Sequence, residues 1–245
     1  MRPPEYSKVN SLQRFKFEVK EKMAELGLLI VVEGLDRSGK STQCELLCKH
    51  IEKLGKKAKY VKFPDRTTPT GNVINSYLTD QVQQDDHSIH LLFSANRWEA
   101  AAGLRKDIEN GTWLVVDRYS YSGAVYSAAK DNPNLSLEWA WAPEVGLPQP
   151  DIVFFLDISA DAAAERGGYG EERYEKEEMQ SRVRTLFQHL FGIIHPSTSE
   201  KPRIARVDAG GSVEDVAAYI AQQIPKSAPP HKLCVLSSPP SGSWI

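Results

Sequence analysis

The stretch EGLDRSGKST, residues 33 to 42, limits what this chain can fold into more than any other part of it. It follows directly on the apolar run LLIVV and precedes the helical pattern TQCELLCKHIEKL, so strand, bend and helix succeed one another without a gap. Within it, GLDRSGKS fits the spacing G-x-x-x-x-G-K-[ST]. Glycines at Gly34 and Gly39 let backbone N–H groups turn inward around an anion, and the helix behind them adds the partial positive charge of its N-terminus. Such a bend holds a phosphate chain, with Lys40 reaching the β and γ phosphates and the Ser41 hydroxyl placed to ligand Mg²⁺. The plainer alternative is that the glycines only make a tight strand-to-helix turn.

The rest of the chain supplies a matching scaffold. LLIVVE (28–33), AKYVKF (58–63), WLVVD (113–117), DIVFFLD (151–157) and RIARVD (203–208) read as five strands. Most are apolar at consecutive positions, as strands covered on both faces are. The intervening segments are long enough for helices, which implies parallel βαβ crossovers and a three-layer α/β domain. At 245 residues the chain is large enough for one core. Thirty Lys and Arg against 32 Asp and Glu leave no broad cationic surface for nucleic acid or an anionic membrane. No run approaches the ~20 apolar residues of a membrane span. Three cysteines do not make a disulfide framework, and Cys44 and Cys48, four apart on a helix, have no second ligand pair, so packing is their expected role.

Both ends look appended to a domain spanning 28–224. In 1–27, Leu12, Phe15, Val19, Met23 and Leu26 fall at helical spacing, with Asn10 and Gln13 as a capping box and Gly27 as the stop. Glu18, Glu21 and Glu25 are out of place in a mitochondrial presequence, so the expected location is the cytoplasm, with the nucleus as a second compartment. The tail 225–245 is rich in Pro and Ser and reads as a mobile segment, with Trp244 as an anchor.

The remaining charges narrow the chemistry. Asp117 and Arg118, in VVDRYSYSG, stand at the carboxyl end of a strand, the edge where open α/β sheets collect ligands. Asp117 is placed to hold Mg²⁺ or its waters, and Arg118 to face a transferring phosphate. Away from a phosphate loop, the pair would read as a strand-end ion pair. Arg66 leaves the second strand on the same edge, after the stiff Phe63–Pro64 step. Phe93 and Arg97, four apart, share one helix face and set an aromatic plane beside a planar donor fork.

EGLDRSGKSTQ, FPDRTT, HSIHLLFSANRWE, VVDRYSYSG and RGGYGEERYE occur in the order and near the spacing of thymidylate kinases, which the chain resembles over about 28–224, most closely the eukaryotic cytosolic type. The resemblance implies a nucleoside monophosphate kinase fold with five parallel strands in the order 2-3-1-4-5, a homodimer packed through helices, and transfer of the γ phosphoryl of ATP to dTMP, giving dTDP and ADP with Mg²⁺. It implies an ATP site of Gly34, Arg37, Ser38, Gly39, Lys40, Ser41 and Thr42, with Arg166 near adenine or phosphates and the loop at Ala209 contacting adenine. Arg66 and Arg118 would clamp the dTMP phosphate, with Phe63, Pro64, Ser122 and Gly123 around the same nucleotide. Phe93 would stack on thymine and Arg97 would donate to its O4, which favours thymine over cytosine by a factor of about 10⁴. The 5-methyl group is a weaker handle, so dUMP is expected to be a poorer acceptor. Asp36 would accept from the deoxyribose 3'-OH, and Tyr126, where relatives often carry Phe, would crowd the 2' position. Arg37 would act as an arginine finger in cis, beneath a lid at 165–180 in which Gly167, Gly168 and Gly170 give hinge freedom and Tyr174 and Gln180 cover the sugar.

Two other readings remain at this point. A deoxyribonucleoside kinase would need a carboxylate base for a 5'-hydroxyl, for which Asp65 is the candidate. A nucleotide-binding protein without turnover would have lost groups that are all present here.

Overall fold

The computed structural model describes residues 26–130, 132–159, 162–163, 173–174, 176–194, 202–228 and 233–238. The helix expected in 1–27 therefore lies outside the described residues, apart from its stop at Gly27. So do Arg166, the lid glycines and Trp244.

Five parallel strands form one sheet in the order β2-β3-β1-β4-β5, as expected: β1 (Leu29–Gly34), β2 (Lys57–Lys62), β3 (Thr112–Asp117), β4 (Ile152–Asp157) and β5 (Arg203–Asp208). Central β1 is buried at every residue, because it has a strand on each side and helices on each face. The edge strands depart from the expectation of full cover. β2 has no buried residue and in β5 only Val207 is buried. KAKYVK and RIARVD place lysines and arginines on these edges, where charge discourages pairing with another chain.

Helices α1 (Lys40–Lys53), α2 (Pro69–Leu78), α3 (Asp86–Glu109), α4 (Ser120–Ala128), α5 (Leu137–Trp141), α6 (Glu177–Ile194) and α7 (Val213–Gln223) surround the sheet. Their starts follow local capping chemistry. Thr68 accepts from Gly71 N with Pro69 in the first turn of α2, Asp85 accepts from His87 N and Ser88 N at α3, and Ser212 accepts from Asp215 N at α7. Under β4, Phe155, Phe187 and Phe191 stack with ring centroids 4.9 to 5.6 Å apart. No helix among the described residues is long and apolar enough to cross a membrane.

One stretch of the tail, within 233–238, is a correction to the sequence reading. From Pro225 the tail was expected to be mobile, yet Val235 pairs antiparallel with Pro148, and Leu236 is buried in the core at 3% exposure. Composition spoke for disorder, but the short apolar run LCVL finds unpaired backbone groups beside it.

His90 of α3 is fully buried, with Nδ1 2.7 Å from Ser127 Oγ and its ring 5.3 Å from that of Trp139. Burial, then the cations Arg97 and Lys130, push it down to about 3 from the ordinary 6.5. The unfolded chain therefore takes up a proton first as pH falls below 6.5. Stability drops by up to about 1.4 kcal/mol per pH unit there, an effect spent once the folded state also protonates near pH 3. His90→Gln is expected to flatten this slope, as read from urea midpoints between pH 7 and 5.

Candidate active site

The carboxyl ends of β1, β2 and β3 open into a cavity of about 570 Å³. At its floor β1 runs into the glycine bend. A Cβ on Gly34 would lie 2.5 Å from Leu156 O and 2.9 Å from Ser38 Oγ, so the bend can pass this close to β4 only without a side chain. Gly39 turns at φ 89° into the N-terminus of α1. Lys40 begins that helix and folds back over the loop, its Nζ donating to Leu35 O at 2.6 Å. Burial and the nearby Arg118 bring its amine down to about 8, against the pull of Asp36, Asp117 and Glu33.

Ser41 Oγ donates to Asp117 Oδ2 at 2.6 Å, and Tyr60 OH donates to the same oxygen at 3.0 Å. One carboxylate and one hydroxyl beside a phosphate cradle is a hard-oxygen set that suits Mg²⁺, which takes its other ligands from phosphates and water. The residues thus fit the metal the sequence implied.

Arg118 sits at φ 65° and Arg37 at φ 62°, a left-handed conformation that costs a non-glycine residue about 1 to 2 kcal/mol. Two cleft arginines held this way mark a place where the surrounding structure overrides local preference. Arg118 donates to Asp36 Oδ1, to Ser122 Oγ at 3.2 Å and to Gly34 O at 3.4 Å, with its guanidinium 5.0 Å above the Tyr126 ring. Asp36 also accepts from Tyr126 OH at 3.0 Å and Gln180 Nε2 at 2.7 Å. Burial raises its carboxyl, but Arg118, Lys40 and these donors outweigh burial and leave it lowered. Arg66 lines the same cavity and donates to Asn75 Oδ1 at 2.9 Å.

The other end of the cavity is aromatic. Phe93 and Tyr174 line it, as do Phe63 and Pro64, joined by a cis peptide bond, and Ser122, Gly123 and Tyr126 at α4. Arg97 also lines it, with Nε and Nη2 each 2.6 Å from an oxygen of Glu144. Both residues are buried.

The structure thus gathers Arg37, Lys40, Ser41, Thr42, Arg66, Asp117 and Arg118 with the aromatic group on one cavity. Gly39 lines it too, while Gly34 and Ser38 lie beneath the loop rather than on its surface. Two side chains have partners that the sequence did not indicate, and a third residue, Ala209, lies elsewhere than expected. Asp36, expected to face a sugar hydroxyl, holds Arg118, Tyr126 and Gln180. Gln180, expected over the sugar, braces Asp36 through both its backbone N–H and its carboxylate. Ala209 is buried at the end of β5, its N–H donating to Asp157 O at 2.8 Å, and is not on the cavity wall.

The sequence reading missed Glu33 and Glu144. Glu33, at the end of β1, is fully buried and accepts from Tyr119 N at 2.9 Å, Ser122 N at 3.0 Å and Ser122 Oγ, which fixes the turn carrying Arg118. A carboxylate closing a buried apolar strand was the available signal. Glu144 gave none, because its partner is 47 positions away.

The family model for thymidylate kinase matches residues 32–220. Among curated proteins, the Arabidopsis thaliana thymidylate kinase is 54% identical over 164 residues, an alignment taking in 67% of this chain and 61% of that protein. The Schizosaccharomyces pombe thymidylate kinase is 48% identical over 198 residues, 81% of this chain and 91% of that one. A solved structure of thymidylate kinase from Candida albicans superposes with a TM-score of 0.71 at 36% identity, covering 80% of this chain and 90% of its own. Since the matched span runs from β1 into α7 and so includes every element that shapes the cavity, the chain belongs to the thymidylate kinase family.

Proposed function

We propose that this chain transfers the γ phosphoryl group of ATP to dTMP, giving dTDP and ADP. The observation that carries the reading is that Lys40, at the glycine bend, and the guanidinium groups of Arg66 and Arg118 face one cavity, next to an aromatic pocket carrying Arg97. Two polyanions can meet there head to head.

An oxygen of the dTMP phosphate is already ionised at neutral pH, so its lone pair attacks the γ phosphorus while the bond to the β–γ bridging oxygen breaks. Arg66 and Arg118 orient the acceptor phosphate, and Arg37 and Lys40 take up charge spreading onto the equatorial and leaving oxygens. Ser41 and Asp117 would hold Mg²⁺, which would supply charge neutralisation at the donor phosphates. No proton need be removed. Asp65, the only base candidate for the deoxyribonucleoside alternative, is tied to Thr67 N at 3.0 Å and Thr67 Oγ1 at 2.6 Å and is not on the cavity wall. Phe93 stacks on the base, Arg97 donates to thymine O4, and Tyr126 closes the space beside C2'. Asp36 acts chiefly by holding Arg118 and Tyr126. The homodimer fits Leu91 and Trp98, large apolar side chains exposed on α3.

With MgATP the protein is expected to consume dTMP and spare thymidine, and Lys40→Met to lower dTDP formation by about 10²-fold or more. Phosphorylation of thymidine, or full activity of the variant, overturns the assignment. A Cβ on Gly123 would lie 2.8 Å from Arg97 Cζ and 2.9 Å from Nη1, so Gly123→Ala is expected to push the guanidinium aside, raising the KM for dTMP roughly tenfold with kcat little changed. Leu91→Glu is expected to shift the protein from dimer to monomer in sedimentation equilibrium.

A further inference from the structure

Residues 233–238, described after α7, do not line the phosphate cleft, yet they are built into the wall behind the base pocket. Gln149 N donates to Cys234 O at 2.9 Å, Leu236 N to Leu147 O at 2.8 Å, and Gly146 N to Leu236 O at 2.9 Å. Trp141 Nε1 donates to Ser237 O at 3.0 Å. Leu236 points into the core at 3% exposure while Cys234, Val235 and Ser237 around it are exposed, so one buried side chain seats the segment.

What this segment holds is the stretch 142–149, a 3₁₀ turn at Ala142–Glu144 that carries Glu144, followed by a loop. From the other side α3 grips the same stretch: Trp98 Nε1 donates to Pro143 O at 2.8 Å and Arg105 Nη2 to Gly146 O at 2.7 Å. Glu144 is thus clamped between α3 and the tail, and its two oxygens take Nε and Nη2 of Arg97. A bidentate fork is planar and rigid, so the tilt of the Glu144 carboxylate sets the plane of the guanidinium and the direction of the remaining Nη1. Both partners are desolvated, so a loosened loop leaves a buried charge that must find water or a new rotamer.

We propose that the C-terminal segment 233–237 is a positioning element for base recognition, holding the stretch that makes Glu144 aim Arg97 into the pocket. The proposal rests on the reading of Arg97 as the group that recognises the base. It separates two parts of the site. Lys40, Arg37 and Asp117 are carried by α1, the glycine bend and β3, whereas the hydrogen bonds of the tail segment described above run to Trp141, Gly146, Leu147 and Gln149. Loss of the segment should therefore disturb selection of the acceptor more than transfer of the phosphoryl group.

The test compares the full chain with a truncation ending at Lys232 and with full-length Leu236→Asp and Leu236→Met. Truncation and Leu236→Asp are expected to raise the KM for dTMP roughly tenfold and to weaken rejection of dCMP, with kcat at saturating dTMP and the KM for ATP within about twofold of the parent. Leu236→Met should behave as the parent. A peptide of residues 231–240 added to the truncated protein should restore the dTMP KM. The Arg97 Nε–H signal in ¹⁵N-edited NMR is expected to exchange slowly in the parent, where Glu144 accepts from it, and rapidly in the truncation. This arm reads the tail-to-arginine link even if dTMP is not the acceptor, so a failed function and a failed link are told apart. Unchanged dTMP KM, base choice and Arg97 exchange in a folded truncation overturn the proposal. An equal loss in kcat and in both KM values does so too, because it marks general loosening. Should the truncation not fold, Leu236→Asp decides by the same criteria.

Discussion

A strand buried on both faces has to deliver polar groups to a cleft at its end, and the rest of this molecule is arranged around how β1 does so. Apolar cover makes β1 rigid, but it also removes water from Glu33, the residue before the bend. Burial raises the Glu33 carboxyl, opposed by donors from Ser122 and Tyr119 and by the charge of Arg118. Those donors belong to the turn leaving β3, so satisfying one buried carboxylate also locks the neighbouring strand's exit and fixes where Arg118 stands. The parallel register, with Val32 opposite Asp117, then brings the glycine bend and the Asp117–Arg118 pair to the same edge.

Two buried or half-buried ion pairs divide the cleft. Arg118 and Asp36 stand at the phosphate end, each about one-fifth exposed, where an incoming anion can share the guanidinium. Arg97 and Glu144 are almost wholly enclosed at the base end, where the pair is dry and its geometry fixed by packing. A charged pair of the second kind adds little net stability against its desolvation and is better understood as fixing a direction. The same logic accounts for the C-terminal segment: a few backbone hydrogen bonds and one buried leucine hold, together with α3, the stretch that carries Glu144.

Much of this was legible in the chain. The five strands fell within a residue of their expected ends, because apolar runs between glycine, lysine and charged segments have few other ways to be buried. The cleft residues that lie in local motifs, Lys40, Ser41, Asp117, Arg118 and Arg66, came together as those motifs imply. Glu144 and the docked tail segment were not legible. Their partners are distant in sequence, and proline and serine content hid a four-residue apolar run that docks on the domain. Asp36 and Gln180 lie in recognisable segments, but which group each holds depends on α6 crossing back over the glycine bend.

By itself the sequence determined the phosphate cradle, since glycine spacing, a lysine and a helix start act through backbone geometry a few residues long. It also determined the alternation of buried strands and helices, since hydrophobic periodicity is a local property. Only the tertiary structure decided which carboxylate faces which arginine. The energy of a buried charge depends on what surrounds it in space, and residues 33 and 122, 97 and 144, and 147 and 236 become neighbours only once the sheet has formed.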